Sequence, residues 1–168
     1  NVGLRHIGRG TLFCRGMFTR RKVKAVDGDV LILDELDEAD QRNKKFAFDR
    51  LLHSKLQHVR ELSQPSIPDY GIDEAFSRSD QRFWHLQCPA CGKYTCLELA
   101  LEERDKRPVP EAFRPVPKGA TWAKPDQRYY RACLHCEAPL DMAKGEWVAR
   151  HPAQPVRGYH LSQLYTQI

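Results

Sequence analysis

Val30-Leu31-Ile32-Leu33-Asp34-Glu35 sets four consecutive apolar residues directly before two carboxylates. An apolar run of this length, with two β-branched members, suits a strand covered on both faces, as in a parallel sheet. The Asp27-Gly28-Asp29 turn signal opens it. Downstream, residues 39–56 read as a helix, because Phe48, Leu51, Leu52 and Leu56 recur at the spacing of a single helical stripe. Asp37, Glu38 and Asp40 stand where acids favour a helix N-terminus. Residues 57–63 form a second strand candidate, ended by Ser63-Gln64-Pro65. Pro65 and Pro68 forbid a regular helix or central strand beyond it, and a short helix is expected over residues 72–78. Upstream, residues 10–18 are a short apolar strand candidate. Strand, helix, strand, helix is the alternation that gives an α/β fold with a parallel sheet.

In open α/β sheets, ligands bind beyond the carboxyl ends of the strands, where Asp34 and Glu35 stand. Mg²⁺ takes hard oxygen ligands and keeps most of its waters, so one acid can hold it. A second acid one residue later can orient or deprotonate an attacking water. Asp34 is then the magnesium-side residue and Glu35 the catalytic one, half of an ATP-hydrolysis site. The competing reading is a solvated cluster of acids capping a helix. The next strand candidate tilts the balance, since in motor ATPases it often ends in a small polar residue that senses the γ-phosphate, and here it ends in Ser63. A metal-dependent nuclease using Asp34, Glu35, Asp37 and Glu38 is weaker, because adjacent strand residues point to opposite faces. No Gly-rich loop ending in Gly-Lys-Ser/Thr occurs in the sequence, so the isolated chain is expected not to hydrolyse ATP.

Residues after 79 change character. A short aromatic strand over residues 82–87 leads into Cys88-Pro89-Ala90-Cys91-Gly92, and residues 93–99 read as a returning strand. Five of the 11 prolines fall between residues 102 and 127, marking a loop or insertion. A strand candidate over residues 128–132 then enters Cys133-Leu134-His135-Cys136, and two short aromatic stretches follow residue 145. Two Cys-x-x-Cys turns supply four thiolates, the donor set of a closed tetrahedral Zn²⁺ site with a structural role. The alternative is four reduced cysteines without a metal. Cys14 and Cys96 read as ordinary thiols, and His85 and His135 as weak substitute ligands.

Charged residues make up 29% and hydrophobic ones 41%, a globular composition. No apolar run approaches the roughly 20 residues that span a bilayer, and the opening Asn1-Val2-Gly3-Leu4-Arg5 lacks a signal-peptide layout. The paired cysteines fit a reducing compartment. The net charge of +5 is a mild excess. Arg15, Arg20, Arg21, Lys22 and Lys24 form its densest run, suited either to phosphates or simply to water.

The order of these features resembles the large terminase subunit of lambda-type tailed phages and prophages. The resemblance is carried by LILDELDEADQ (residues 31–41), SQPSIPDYGIDEAF (63–76), SDQRFWHLQCPACG (79–92), RACLHC (131–136) and GEWVARHPAQPVRGYHLSQLY (145–165). It implies a P-loop (ASCE-type) motor domain followed by a nuclease domain. Asp34 and Glu35 match the family's Walker B acids, Ser63-Gln64-Pro65 its coupling motif, and Cys88, Cys91, Cys133 and Cys136 its cysteine pairs. The Walker A loop is expected before residue 1 and the nuclease carboxylates after residue 168.

The organisation expected from the resemblance has three parts. Residues 1–78 are the C-terminal part of the ATPase domain. Residues 79–145 are a zinc-ribbon-like β subdomain with a Pro-rich insertion at 102–127, and residues 146–168 lead toward the nuclease domain. The complete protein is then an ATPase and endonuclease that drives double-stranded DNA into procapsids. It would use ATP, Mg²⁺ and structural Zn²⁺, and work in the host bacterial cytoplasm. Its partners would be the small terminase subunit and the portal, with the motor a homo-oligomer away from any membrane. The alternative function is a zinc-ribbon nucleic-acid or protein-binding module on an inactive ATPase-like sheet.

Overall fold

The computed structural model describes residues 3–24, 26–102 and 112–166, so Pro108 and Pro110 of the Pro-rich segment lie outside the described residues. It is a mixed α/β structure with several small sheets, divided into a unit of residues 1–77 and a unit of residues 78–168.

In the first unit, β1 (Leu4–Ile7) and β2 (Gly10–Phe13) form an antiparallel hairpin. The strand expected over residues 10–18 is thus shorter, and the next element is a one-turn helix, α1 (Arg20–Val23). Strand β3 (Val30–Leu33) pairs in parallel with β4 (His58–Glu61), in the register Val30↔His58 to Leu33↔Glu61. The ladder continues past both strands, as Leu62 N donates to Leu33 O and Leu36 N to Leu62 O. Parallel pairing of these two segments agrees with the sequence; burial on both faces does not. Leu33 is 4% exposed, whereas Val30 and Ile32 are 48% and 53% exposed. The two-stranded sheet covers one face only, and period-2 alternation leaves the other face open.

The helix expected over residues 39–56 is broken into turns. Residues Leu36–Glu38, Gln41–Asn43 and Asp49–Leu51 are 3-10 turns, and only α2 (Lys44–Phe48) is α-helical. The buried stripe is Asn43, Ala47 and Leu51, spaced by four, while Phe48, Leu52 and Leu56 remain exposed. Polar residues cause the shift. Asp40 accepts from the Arg42 amide at 3.1 Å and caps a short turn, and Asn43 donates to Met17 O at 2.7 Å, turning that face inward. Leu33, Leu36 and Ala47 form this unit's core, with Met17, Val23, Leu31 and Ile72 packed against it. Helix α3 (Gly71–Ser77) closes the unit near its expected position.

In the second unit, β5 (Arg82–Gln87) is central. It pairs antiparallel with β6 (Tyr94–Thr95). The remainder of the strand expected over residues 93–99 is instead helix α4 (Leu97–Glu102), whose Leu97 enters the core. A separate hairpin joins β7 (Phe113–Pro115) to β8 (Tyr129–Arg131). Strand β9 (Gly145–Ala149) runs antiparallel to β5, and β10 (Tyr159–His160) runs parallel to it. The stretch from Gly145 to Tyr165 thus supplies two strands to this unit's sheet and Tyr165 to its core. Tyr165 is 7% exposed and donates its hydroxyl to Trp84 O at 2.8 Å. Asp80 holds the return of the chain. Its buried carboxylate accepts from Arg82 Nε at 2.7 Å and from the Gly158 amide at 3.0 Å.

Candidate functional site

Strand β3 delivers Asp34 and Glu35 at its C-terminal end, and both are exposed. The chain leaves strand geometry at once, since Glu35 takes a left-handed conformation with φ 53° and ψ 49°. For a residue with a Cβ this costs on the order of 1 kcal/mol. The turn is held by the backbone bonds from Leu62 and by Gln41, whose amide donates to Leu36 O and Ala39 O.

Strand β4 ends beside this loop. Ser63 Oγ accepts from the Asp37 amide at 3.1 Å, so the acid-bearing loop and the Ser63-Gln64-Pro65 segment are in direct contact. The sequence did not reveal the part played by Asp37. Its Oδ2 accepts from both the amide and the hydroxyl of Ser66 at 2.8 Å, and its Oδ1 accepts from the Ile72 amide at 2.8 Å. Burial acts most strongly on this carboxyl and pushes its pKa up. Hydrogen bonds from the Ile72 amide and the Ser66 hydroxyl and amide, with the smallest influence from the nearby Ser63 hydroxyl, outweigh burial and hold the pKa below the usual value. Gly71 makes room for this arrangement: it has φ +57°, and a Cβ there would run into the Asp37 carboxylate. The readable signal was an Asp three residues after the first acid, followed by a glycine ahead of a helix.

The second cluster is built from two matching knuckles. Cys88 N donates to Lys93 O and Gly92 N to Cys88 O; Cys133 N donates to Ala138 O and Glu137 N to Cys133 O, each at 2.9 Å. Both turns end in a left-handed residue, Gly92 at φ 72° and Glu137 at φ 64°. They bring the four Sγ atoms within 4.8 Å of one another. Cys88 and Cys136 lie 3.5 Å apart and Cys91 and Cys133 3.7 Å apart, far beyond disulfide length. A tetrahedron of thiolates around an ion with metal–sulfur bonds of about 2.3 Å has edges of about 3.8 Å, so the donor set fits such an ion.

Burial is the largest influence on the Cys133 thiol and pushes its pKa up. Amides of His135 and Cys136 and the neighbouring thiols reverse that and bring it down to about 6. Neither His85 nor His135 belongs to this group; His135 Nε2 lies 3.4 Å from Tyr94 O. Cys96 is a buried core thiol beside the Tyr165 hydroxyl, and Cys14 is exposed.

The basic residues Arg15, Arg20, Arg21, Lys22 and Lys24 are all exposed. Arg20 and Lys24 lie over the Phe46 ring, 4.1 and 4.5 Å from its centroid, and Arg15 lies 5.9 Å from that of Phe13. The ring holds two cations side by side at the surface.

No curated protein and no solved structure matches the chain significantly. A family model described as the phage terminase large subunit gpA, ATPase domain, matches residues 1–151. That match takes in the acid pair, the Ser63 strand end and all four clustered cysteines, and the chain belongs to this family of phage terminase large-subunit ATPase domains.

Proposed function

We propose that Asp34 and Glu35 are the hydrolytic acids of a terminase motor and that Ser63-Gln64-Pro65 couples their state to DNA movement. Family membership gives the general role, ATPase activity of the complete protein in phage DNA packaging. One observation carries the finer reading. The parallel β3–β4 register sets both strand ends side by side, with Asp37 N bonded to Ser63 Oγ. Two exposed carboxylates at the end of a parallel strand fit Mg²⁺ and a nucleotide. When bound, ATP with Mg²⁺ supplies a γ-phosphoryl group whose developing charge the metal offsets. Asp34 would hold the metal side of the site. Glu35 orients the attacking water and draws off its proton. The open Val30 and Ile32 face supports a wider P-loop-type sheet, covered on that side, in the complete protein.

The four cysteines take structural Zn²⁺, which would close the two knuckles and leave no position open for catalysis. The basic surface from Arg15 to Lys24 suits the phosphates of double-stranded DNA, in a homo-oligomeric motor working with the small subunit and the portal in the host cytoplasm. DNA cleavage belongs to the complete protein. In that protein, Glu35→Gln should leave the KM for ATP within about threefold and lower steady-state turnover by about 100-fold or more. Turnover close to the unmodified protein's would refute the assignment.

A further inference from the structure

We infer that Asp37 is a positioning residue for ATP hydrolysis. In this inference, which rests on the reading of Asp34 and Glu35 given above, Asp37 locks the acid loop, the Ser63–Ser66 segment and the start of α3 into one piece. Its backbone amide reaches Ser63 and its two carboxylate oxygens reach Ser66 and Ile72, so one residue bonds to both segments that follow β4. All three carboxylate contacts are donors at 2.8 Å, and together they use both oxygens. No neutral side chain of the same shape can accept from both directions, because an amide has only one acceptor oxygen.

Two further features show that the chain is built around this carboxylate. Gly71 is left-handed and has no space for a Cβ against it. Glu35, two residues before Asp37, carries left-handed strain, and strain of that kind persists only where its surroundings over-determine it. The Asp37 bonds, with those from Leu62 and Gln41, provide that constraint. A shift of Glu35 therefore cannot occur without pulling on Ser63 and on the first turn of α3, which is the movement a coupling element requires. Asp37 does not touch the nucleotide in this account; it fixes the groups that do.

The test uses the complete protein. Asp37→Asn should lower kcat for ATP by about 10- to 100-fold, the cost of a small misplacement of reacting groups, with KM within about threefold. Ser66→Ala, which removes only the hydroxyl bond, should lower kcat by a smaller factor in the same pattern. A purely structural role would instead lower the unfolding temperature and leave kcat per folded molecule unchanged. That result would overturn the inference. If Asp37→Asn does not fold, Ser66→Ala decides: unchanged kcat overturns the inference and reduced kcat at constant KM supports it. Glu35→Gln keeps the two claims apart. Loss of turnover in Glu35→Gln alongside normal kcat in Asp37→Asn defeats only the Asp37 role, whereas normal turnover in Glu35→Gln defeats the site itself.

Discussion

The residues that hold the site together are not the ones that the sequence makes conspicuous. Asp34 and Glu35 stand out because they end an apolar run, and both lie exposed at the end of β3. Asp37 holds the loop, but in the sequence it reads as an acid at a helix N-terminus, because its bonds to Ser66 and Ile72 cross 29 and 35 residues. Gly71→Ala should destabilise the first unit by more than about 1 kcal/mol in urea unfolding, since it adds left-handed strain and a Cβ collision with Asp37.

Asp37 also sets a pH dependence. Its folded pKa lies below the ordinary aspartate value, so between the two the unfolded chain binds more protons than the folded one. Its contribution to stability is therefore complete above the unfolded pKa and lost as pH falls through the lower folded value. Acid titration of unfolding should show that loss in the unmodified protein and a flatter profile in Asp37→Asn.

Elements proved legible where a local pattern and a long-range partner agreed. Strand β3 and strand β4 were both expected, and their parallel pairing is present. The single helix expected between them is broken into turns, and its buried face differs because hydrophobic periodicity weighs Phe48, Leu52 and Leu56 above Asn43. The hydrogen bond from Asn43 to Met17 O decides which face turns inward. Strand β6 stops at Thr95 and the chain turns helical because Leu97 joins a core with Leu86, Ala112 and Tyr165, a tertiary demand that local propensity does not show. The two knuckles were legible from Cys-x-x-Cys spacing, although Glu137 does without the glycine that the first knuckle has. Protein purified without chelator should carry about one zinc per chain, and Cys133→Ser should remove it. Elemental analysis checks both, and a content far below one would defeat the zinc assignment.

At the scale of the whole molecule, the chain is two units with separate small cores, and the terminase family match extends over both. The sequence shows only two short aromatic stretches after residue 145. They supply β9 and β10, with Asp80 bonded to the Gly158 amide and Tyr165 bonded to Trp84 O in the second unit's core. Our assignment of ATP hydrolysis is to the acids at the end of β3. A single-turnover experiment on the complete protein with Glu35→Gln, at saturating ATP and Mg²⁺, separates nucleotide binding from the chemical step. ATP should bind with a Kd within about threefold of the unmodified protein's while its hydrolysis slows by about 100-fold or more. Hydrolysis of bound ATP at the unmodified rate would contradict the assignment.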